Sequence, residues 1–122
     1  MFPFDKGRPA DGLPGARTIA VAVLLAAWAS QIEPDAITGP RRGEAVIADA
    51  RHLAIYLAHV TLGHDLTRLA AAFRRDRASL RHALRRIEDR RDDPAFDRFV
   101  GSLEAILLPL RSGADSAAGA LS

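Results

Sequence analysis

Residues 74–91 read RRDRASLRHALRRIEDRR, and this stretch limits what the chain can become more than any other. Leu80, Ala83, Leu84 and Ile87 recur at helical spacing. Arg77, Arg81 and Arg85 follow one another at i, i+4 on a different side, with Ala78, His82 and Arg86 alongside. A helix divided in this way is stable when its apolar stripe lies on a core and its arginines face outward. Asp76 stands where a side-chain acceptor can cap the first turn of this helix, which is expected to run from Arg77 to about Arg91. Just upstream, Asp65 can cap a short helix over 66–73 with Leu66, Leu69, Ala70 and Phe73 inward. Arg74-Arg75-Asp76 is then a three-residue break between the two helices. A short helix, a tight turn and an arginine-faced helix form the arrangement of a helix-turn-helix. A charged face that is merely solvated remains the alternative at this point.

The charge balance of the chain hides this segment. Its eight arginines oppose three acids, giving +5. The formal net charge of all 122 residues is only +2, so the other 104 sum to −3. Lys6 is the one lysine among 17 basic residues. Arginine makes planar, bidentate contacts with phosphate and guanine that lysine cannot, although codon composition can also produce such a bias.

The rest of the chain also reads as helical. Residues 1–15, MFPFDKGRPADGLPG, are an irregular lead. Residues 17–31 are apolar nearly all round, which predicts a helix buried on most sides, with Trp28 in the core. The run 18–29 is too short to span a membrane. A signal peptide competes for it, because Arg17 precedes an apolar stretch and Ala27-Trp28-Ala29 resembles a cleavage site. The lead is too long and too rich in proline and glycine for that reading, and it carries Asp5 and Asp11; a buried domain helix accounts better for the run. Pro34-Asp35-Ala36-Ile37 forms at most one helical turn inside a linker. Ala45 to about Leu62 is one further helix, stopped by Gly63. A final helix over about 93–111 tolerates Pro94 in its first turn and turns Phe96, Phe99, Val100, Leu103, Ile106, Leu107 and Leu110 inward. With no β-alternation, the fold class is all-α: one helical domain over 16–111, followed by a loose polar tail over 112–122.

Several chemistries are excluded. The absence of cysteine removes disulfides, thiolate zinc sites, iron–sulfur clusters and cysteine nucleophiles. His52, His59 and His64 lack a metal-ligand spacing, so no metal is implied. Ser79 and His82 share a helical turn but bring no oxyanion donor or orienting carboxylate, so the reading is a non-enzyme without cofactor.

The residues of the downstream half resemble a known family. The stretch Leu69-Ala70-Ala71-Ala72-Phe73-Arg74-Arg75-Asp76-Arg77-Ala78-Ser79-Leu80-Arg81-His82-Ala83-Leu84-Arg85-Arg86-Ile87-Glu88 resembles the signature of the DNA-binding C-terminal domain of the bacterial replication initiator DnaA. In that signature a Phe-ending helix and a Gly/Arg turn precede Arg-Asp-His-Thr-Thr-Val, any residue, His-Ala, and a helix running to Ile-Glu. Arg51 followed by His52-Leu53-Ala54-Ile55-Tyr56-Leu57-Ala58 looks like the helix that opens the same domain. Pro34-Asp35-Ala36-Ile37 with Arg41-Arg42 is similar to the approach to its basic loop. The resemblance covers about 17–91. It implies a Trp-repressor-like helical fold, a recognition helix in the major groove of double-stranded DNA and a basic loop near the minor groove.

Carried onto this chain, the resemblance gives Arg75 and Asp76 the positions of the signature Arg-Asp, Ser79 that of the second threonine, His82 that of the helix histidine, and Arg51 that of an arginine ending the basic loop. Arg77 replaces the family's histidine and Ala78 its first threonine, while Glu44, Ala45 and Asp49 stand where further loop arginines are usual. These departures point away from the initiator's own box and leave the arginine ridge as the means of holding a duplex. The sequence carries no Gly-x-x-x-x-Gly-Lys-Ser/Thr phosphate loop, so nucleotide binding is not implied.

The expected DNA contacts are therefore Arg77 and Arg81 at base edges or phosphates, Arg85 and Arg86 on the backbone, and Arg41, Arg42, Arg51, Arg74, Arg75, Asp76, Ser79 and His82 around them. The expected role is a stand-alone regulator of transcription or replication in the cytoplasm, associated with the nucleoid rather than a membrane, and compatible with a homodimer. The rival reading is a helical interaction module, in which the ridge meets an acidic protein or the final apolar helix supports a dimer.

Overall fold

The computed structural model describes residues 13–39 and 44–111. Among the described residues six α-helices appear: α1 (Leu13–Ser30), α2 (Pro34–Thr38), α3 (Ala45–Tyr56), α4 (Leu66–Phe73), α5 (Arg77–Arg90) and α6 (Pro94–Leu107). No strand occurs among the described residues.

Helix α3 is the centre of the fold, with α1 and α2 packed against it from one direction and α5 from another. Its side chains from Leu53 to Tyr56 are all buried, as are Ile47 and Ala50. Beyond Tyr56 the helix does not simply continue to Leu62. Residues Leu57–Thr61 widen into a π-helical turn, seen in the Leu62 N–H to Leu57 carbonyl bond of 3.0 Å. Gly63 then reverses the chain at φ 84°, a conformation that costs a side-chain-bearing residue but not glycine. The widened turn is where α6 attaches, through the Thr61 hydroxyl donating to Glu104 at 3.0 Å.

Helix α1 begins at Leu13, earlier than its apolar run and inside the stretch expected as an irregular lead. It buries one stripe only: Ile19, Ala22, Val23, Ala26 and Ala27. Leu24 and Trp28 lie on the other side, 53% and 73% exposed. The expected core position of Trp28 is thus incorrect, as is the expected burial on most sides. The alanines let α3 approach closely on one face, while Leu24 and Trp28 on the other keep most of their surface open. α1 ends with Gln31 in the left-handed region at φ 58°, where paired bonds from Gln31 to Trp28 and from Ile32 to Ala27 close the helix.

Helix α6 shows the same narrowing. Val100, Leu103 and Leu107 are buried, whereas Phe99 and Ile106, and Leu110 in the 3-10 turn that follows the helix, are 38%, 55% and 42% exposed rather than inward. α6 leans on the π-turn from one side and so needs only a narrow stripe.

Candidate nucleic-acid interface

Local chemistry builds the α4–turn–α5 unit much as expected. The Asp65 carboxylate accepts from the Arg68 N–H at 2.8 Å, and Asp76 accepts from the Ser79 N–H at 2.7 Å. Each satisfies a donor that the first helical turn leaves without an intrahelical partner. Between them, Arg74 takes the left-handed conformation at φ 55°, and the Arg75 N–H returns to the Ala70 carbonyl. That single residue turns the chain sharply enough to start α5 at Arg77.

Packing then orients α5. Leu80, Ala83 and Ile87 are buried, and Phe73 and Leu69 of α4 lie in the same core. The outward side carries Arg77, Ala78, Ser79, Arg81, His82, Arg85 and Arg86, all exposed, with Arg74 and Asp76 exposed in the turn before it. No described residue forms an ion pair with Arg77, Arg81, Arg85 or Arg86. The hydrogen bond from the Ser79 N–H holds the Asp76 carboxyl below the usual carboxylate range. Asp76 therefore stays ionised at neutral pH as the cap of α5, complementing the positive end of the helix dipole.

Two of the expected arginines face elsewhere. Arg51 is 5% exposed and donates from Nε to the Ile37 carbonyl at 2.7 Å and from Nη2 to the Ala36 carbonyl at 3.3 Å. Arg75 is partly buried and donates to the carbonyls of Phe73 and Arg74, and from Nη2 to that of Gly39 at 3.1 Å. Both guanidiniums meet carbonyls at the C-terminal end of α2, a helix too short to satisfy them itself. The burial of Arg51 makes it part of the scaffold, a departure from its expected place at the DNA. Arg41 and Arg42 lie outside the described residues.

One residue at this surface was absent from the sequence-based set. His52 of α3 sits edge-on to His82 of α5, with ring centroids 5.7 Å apart and planes at 83°. The two rings line an open cleft with Arg75, Asp76 and Ser79. Burial holds the His52 pKa below its ordinary value, and His82 pushes in the same direction. Nothing in the order of residues could have paired positions 52 and 82, because their proximity arises from how α3 and α5 pack.

At its far end α5 is different. Arg91 donates to Asp97 at 2.6 Å and to the Tyr56 hydroxyl at 3.2 Å, and it pairs with Glu104 at 3.1 Å. Burial opposes its charge, but these three partners outweigh burial and raise its pKa. The Arg90 guanidinium lies 3.9 Å from the Phe96 ring centroid.

Among the described residues, no group of histidines and acids could hold a metal ion, and no helix is long and apolar enough to cross a membrane. The family model described as the bacterial dnaA protein helix-turn-helix matches residues 25–87. Neither the curated proteins nor the solved structures compared with the chain give a match. The match runs from the second half of α1 to Ile87 in α5 and takes in the complete α4–turn–α5 unit, just over half of the sequence. On that match and on this capped, arginine-faced helical unit, the chain belongs to the bacterial DnaA helix-turn-helix family.

Proposed function

We propose that this chain binds double-stranded DNA with α5 in the major groove. The observation that carries the reading is the row of exposed arginines on α5 that no described residue neutralises. Arg77 and Arg81, in the first turns of the helix, are assigned to base edges or nearby phosphates, with Ser79 and His82 beside them. Arg74, Arg85 and Arg86 are assigned to the phosphate backbone, which fixes register without reading sequence. Arg75 and Asp76 hold the turn, and Arg51 holds α2. Arg41 and Arg42, placed by the sequence between α2 and α3, are assigned to a flanking phosphate. The role this supports is control of transcription or replication by occupying DNA at the nucleoid. These 122 residues carry no phosphate-binding loop for nucleotide-driven strand opening.

Fluorescence anisotropy with a pool of genomic duplex fragments tests the reading. Several arginine–phosphate contacts should make affinity fall on the order of a hundredfold between about 50 mM and about 200 mM salt. Absence of binding at the lower salt would overturn it.

A second reading rests on a different observation. Trp28 and Phe99 line one shallow cleft with Ile32, Gln31 and Glu33, and both rings carry substantial exposure. Such a surface suits contact with a protein or a second copy of the chain. Sedimentation of the intact chain and of Trp28→Ser distinguishes this reading, since association that survives the substitution would contradict it.

A further inference from the structure

We infer that the cleft between α3 and α5 is an additional contact for a DNA backbone phosphate, held jointly by His52 and His82, and that filling it draws a proton into the protein. The inference rests on the DNA-binding reading above and adds α3 to the contacting surface.

The geometry is the starting point. The two imidazoles come from different helices and meet edge to face at 5.7 Å. His82 is exposed and His52 half-buried, so the pair forms one wall of an open cleft rather than a packed core contact. The cleft also has the Ser79 and Arg75 side chains in its lining, on the same side of α5 as the arginine row. A neutral imidazole offers one N–H donor, and a protonated one offers two donors and a charge. Two such rings side by side can grip an anion far more strongly once one of them is protonated.

The charged surroundings determine when that happens. Facing His52 are His82 and Arg86 from α5, and Arg51 and Asp49 from its own helix. Burial is the largest influence and disfavours the charged ring, His82, Arg86 and Arg51 add to it, and Asp49 opposes them. Across the cleft, Asp76 is already engaged by the Ser79 N–H. In the free protein His52 is therefore neutral near pH 7. A phosphate at the cleft mouth is an anion beside the ring and reverses the balance, raising the pKa in the complex.

Linkage sets the sign. Between the lower pKa of the free protein and the higher one of the complex, binding takes up a proton, so affinity rises as pH falls through that window. The gain is at most about tenfold per pH unit for each proton taken up.

Anisotropy with the same genomic duplex pool at about pH 6 and about pH 8, bracketing the ordinary histidine range, reads this as the ratio of the two affinities. The intact chain should bind roughly tenfold more tightly at the lower pH, as expected for one proton taken up. His52→Gln and His82→Gln should each lower that ratio to about twofold or less, since glutamine keeps a donor but does not titrate. His82 is exposed, so its variant reports on the cleft even where the half-buried His52 variant folds poorly. His59→Gln, outside the cleft, should keep the full ratio. Binding of equal strength at both pH values, or a full ratio in the two cleft variants, would overturn the inference and leave DNA binding standing. Absence of binding at both pH values would overturn both.

Discussion

The two ends of α5 are built from the same residue type and do opposite things. In its first three turns Arg77, Arg81, Arg85 and Arg86 face solvent, and no described residue forms an ion pair with them. Just past its last turn Arg91 is enclosed by Asp97, Glu104 and the Tyr56 hydroxyl, and it fastens α6 to α3. The difference lies in the neighbours of each arginine. Leu80 and Ala83 turn the early arginines away from the core, whereas the acids of α6 come back over the end of the helix. Of the +5 carried by residues 74–91, the part contributed by Arg91 is neutralised within the fold, and Arg75 is engaged by backbone carbonyls, as is Arg51 outside that segment. A basic count marks a segment; only packing shows which of its charges remain for a polyanion.

Substitutions at the two ends should separate stability from binding. The largest effect on stability is expected for Arg91→Ala, which takes the cation from Glu104, itself still bonded to the Thr61 hydroxyl, and the donor from the Tyr56 hydroxyl. Urea unfolding should show a loss of about 1–3 kcal/mol, most of it from the less exposed partners, because the exposed Asp97 contact contributes little. DNA affinity per folded molecule should stay unchanged; a large drop would mean that this end also meets DNA.

Arg74→Gly should act in the reverse sense. It relieves the left-handed conformation at φ 55° while giving up backbone entropy, for a net gain of about 0.5–1 kcal/mol in urea unfolding. The same change should weaken DNA binding measurably, because a phosphate-directed charge is lost. A more stable variant that binds with full affinity would remove Arg74 from the contact set.

The cap of α5 predicts a pH dependence. The folded-state pKa of Asp76 is depressed, so its contribution is present above the ordinary carboxylate pKa and is lost as pH falls through the lower, folded value. Asp76→Ser retains a capping oxygen that does not titrate. Subtracting its acid unfolding curve from that of the intact chain should leave a loss confined to pH below the ordinary aspartate value of 3.8. A difference spread through neutral pH would point to another group.

The smallest effect is expected at the largest side chain. Trp28→Ala should change stability by less than about 0.5 kcal/mol, as surface substitutions do. A core tryptophan would cost about 3–5 kcal/mol, and a loss of that size would show that the surface is covered in solution.

The features legible in the sequence were local ones. Asp65 and Asp76 mark their helices because a cap is decided within three residues, and the Leu80–Ala83–Ile87 stripe sets the face of α5 by its own period. Trp28, Phe99 and Ile106 misled because periodicity gives the phase of an apolar stripe but not the breadth of the neighbour that covers it. The scaffold contacts of Arg51 and Arg75 could not be read from the sequence, because the α2 and Gly39 carbonyls that they engage, at positions 36, 37 and 39, lie up to 36 residues away. The His52–His82 pair was illegible for the same reason.

The central claim is that α5 holds DNA with the arginines of its outward face. A charge-matched comparison tests it most directly: Arg77→Ala with Arg81→Ala, against Arg90→Ala with Arg98→Ala, each removing the same charge from an exposed part of the chain. For the first pair, anisotropy at low salt should show a loss of about 1–3 kcal/mol per base-reading contact and a salt dependence shallower by about two phosphate contacts. The second pair should bind within about twofold of the intact chain, as expected for charges away from the contact surface. Equal losses from both pairs would contradict the account, because the chain would then respond to its total charge and not to the helix face that presents it.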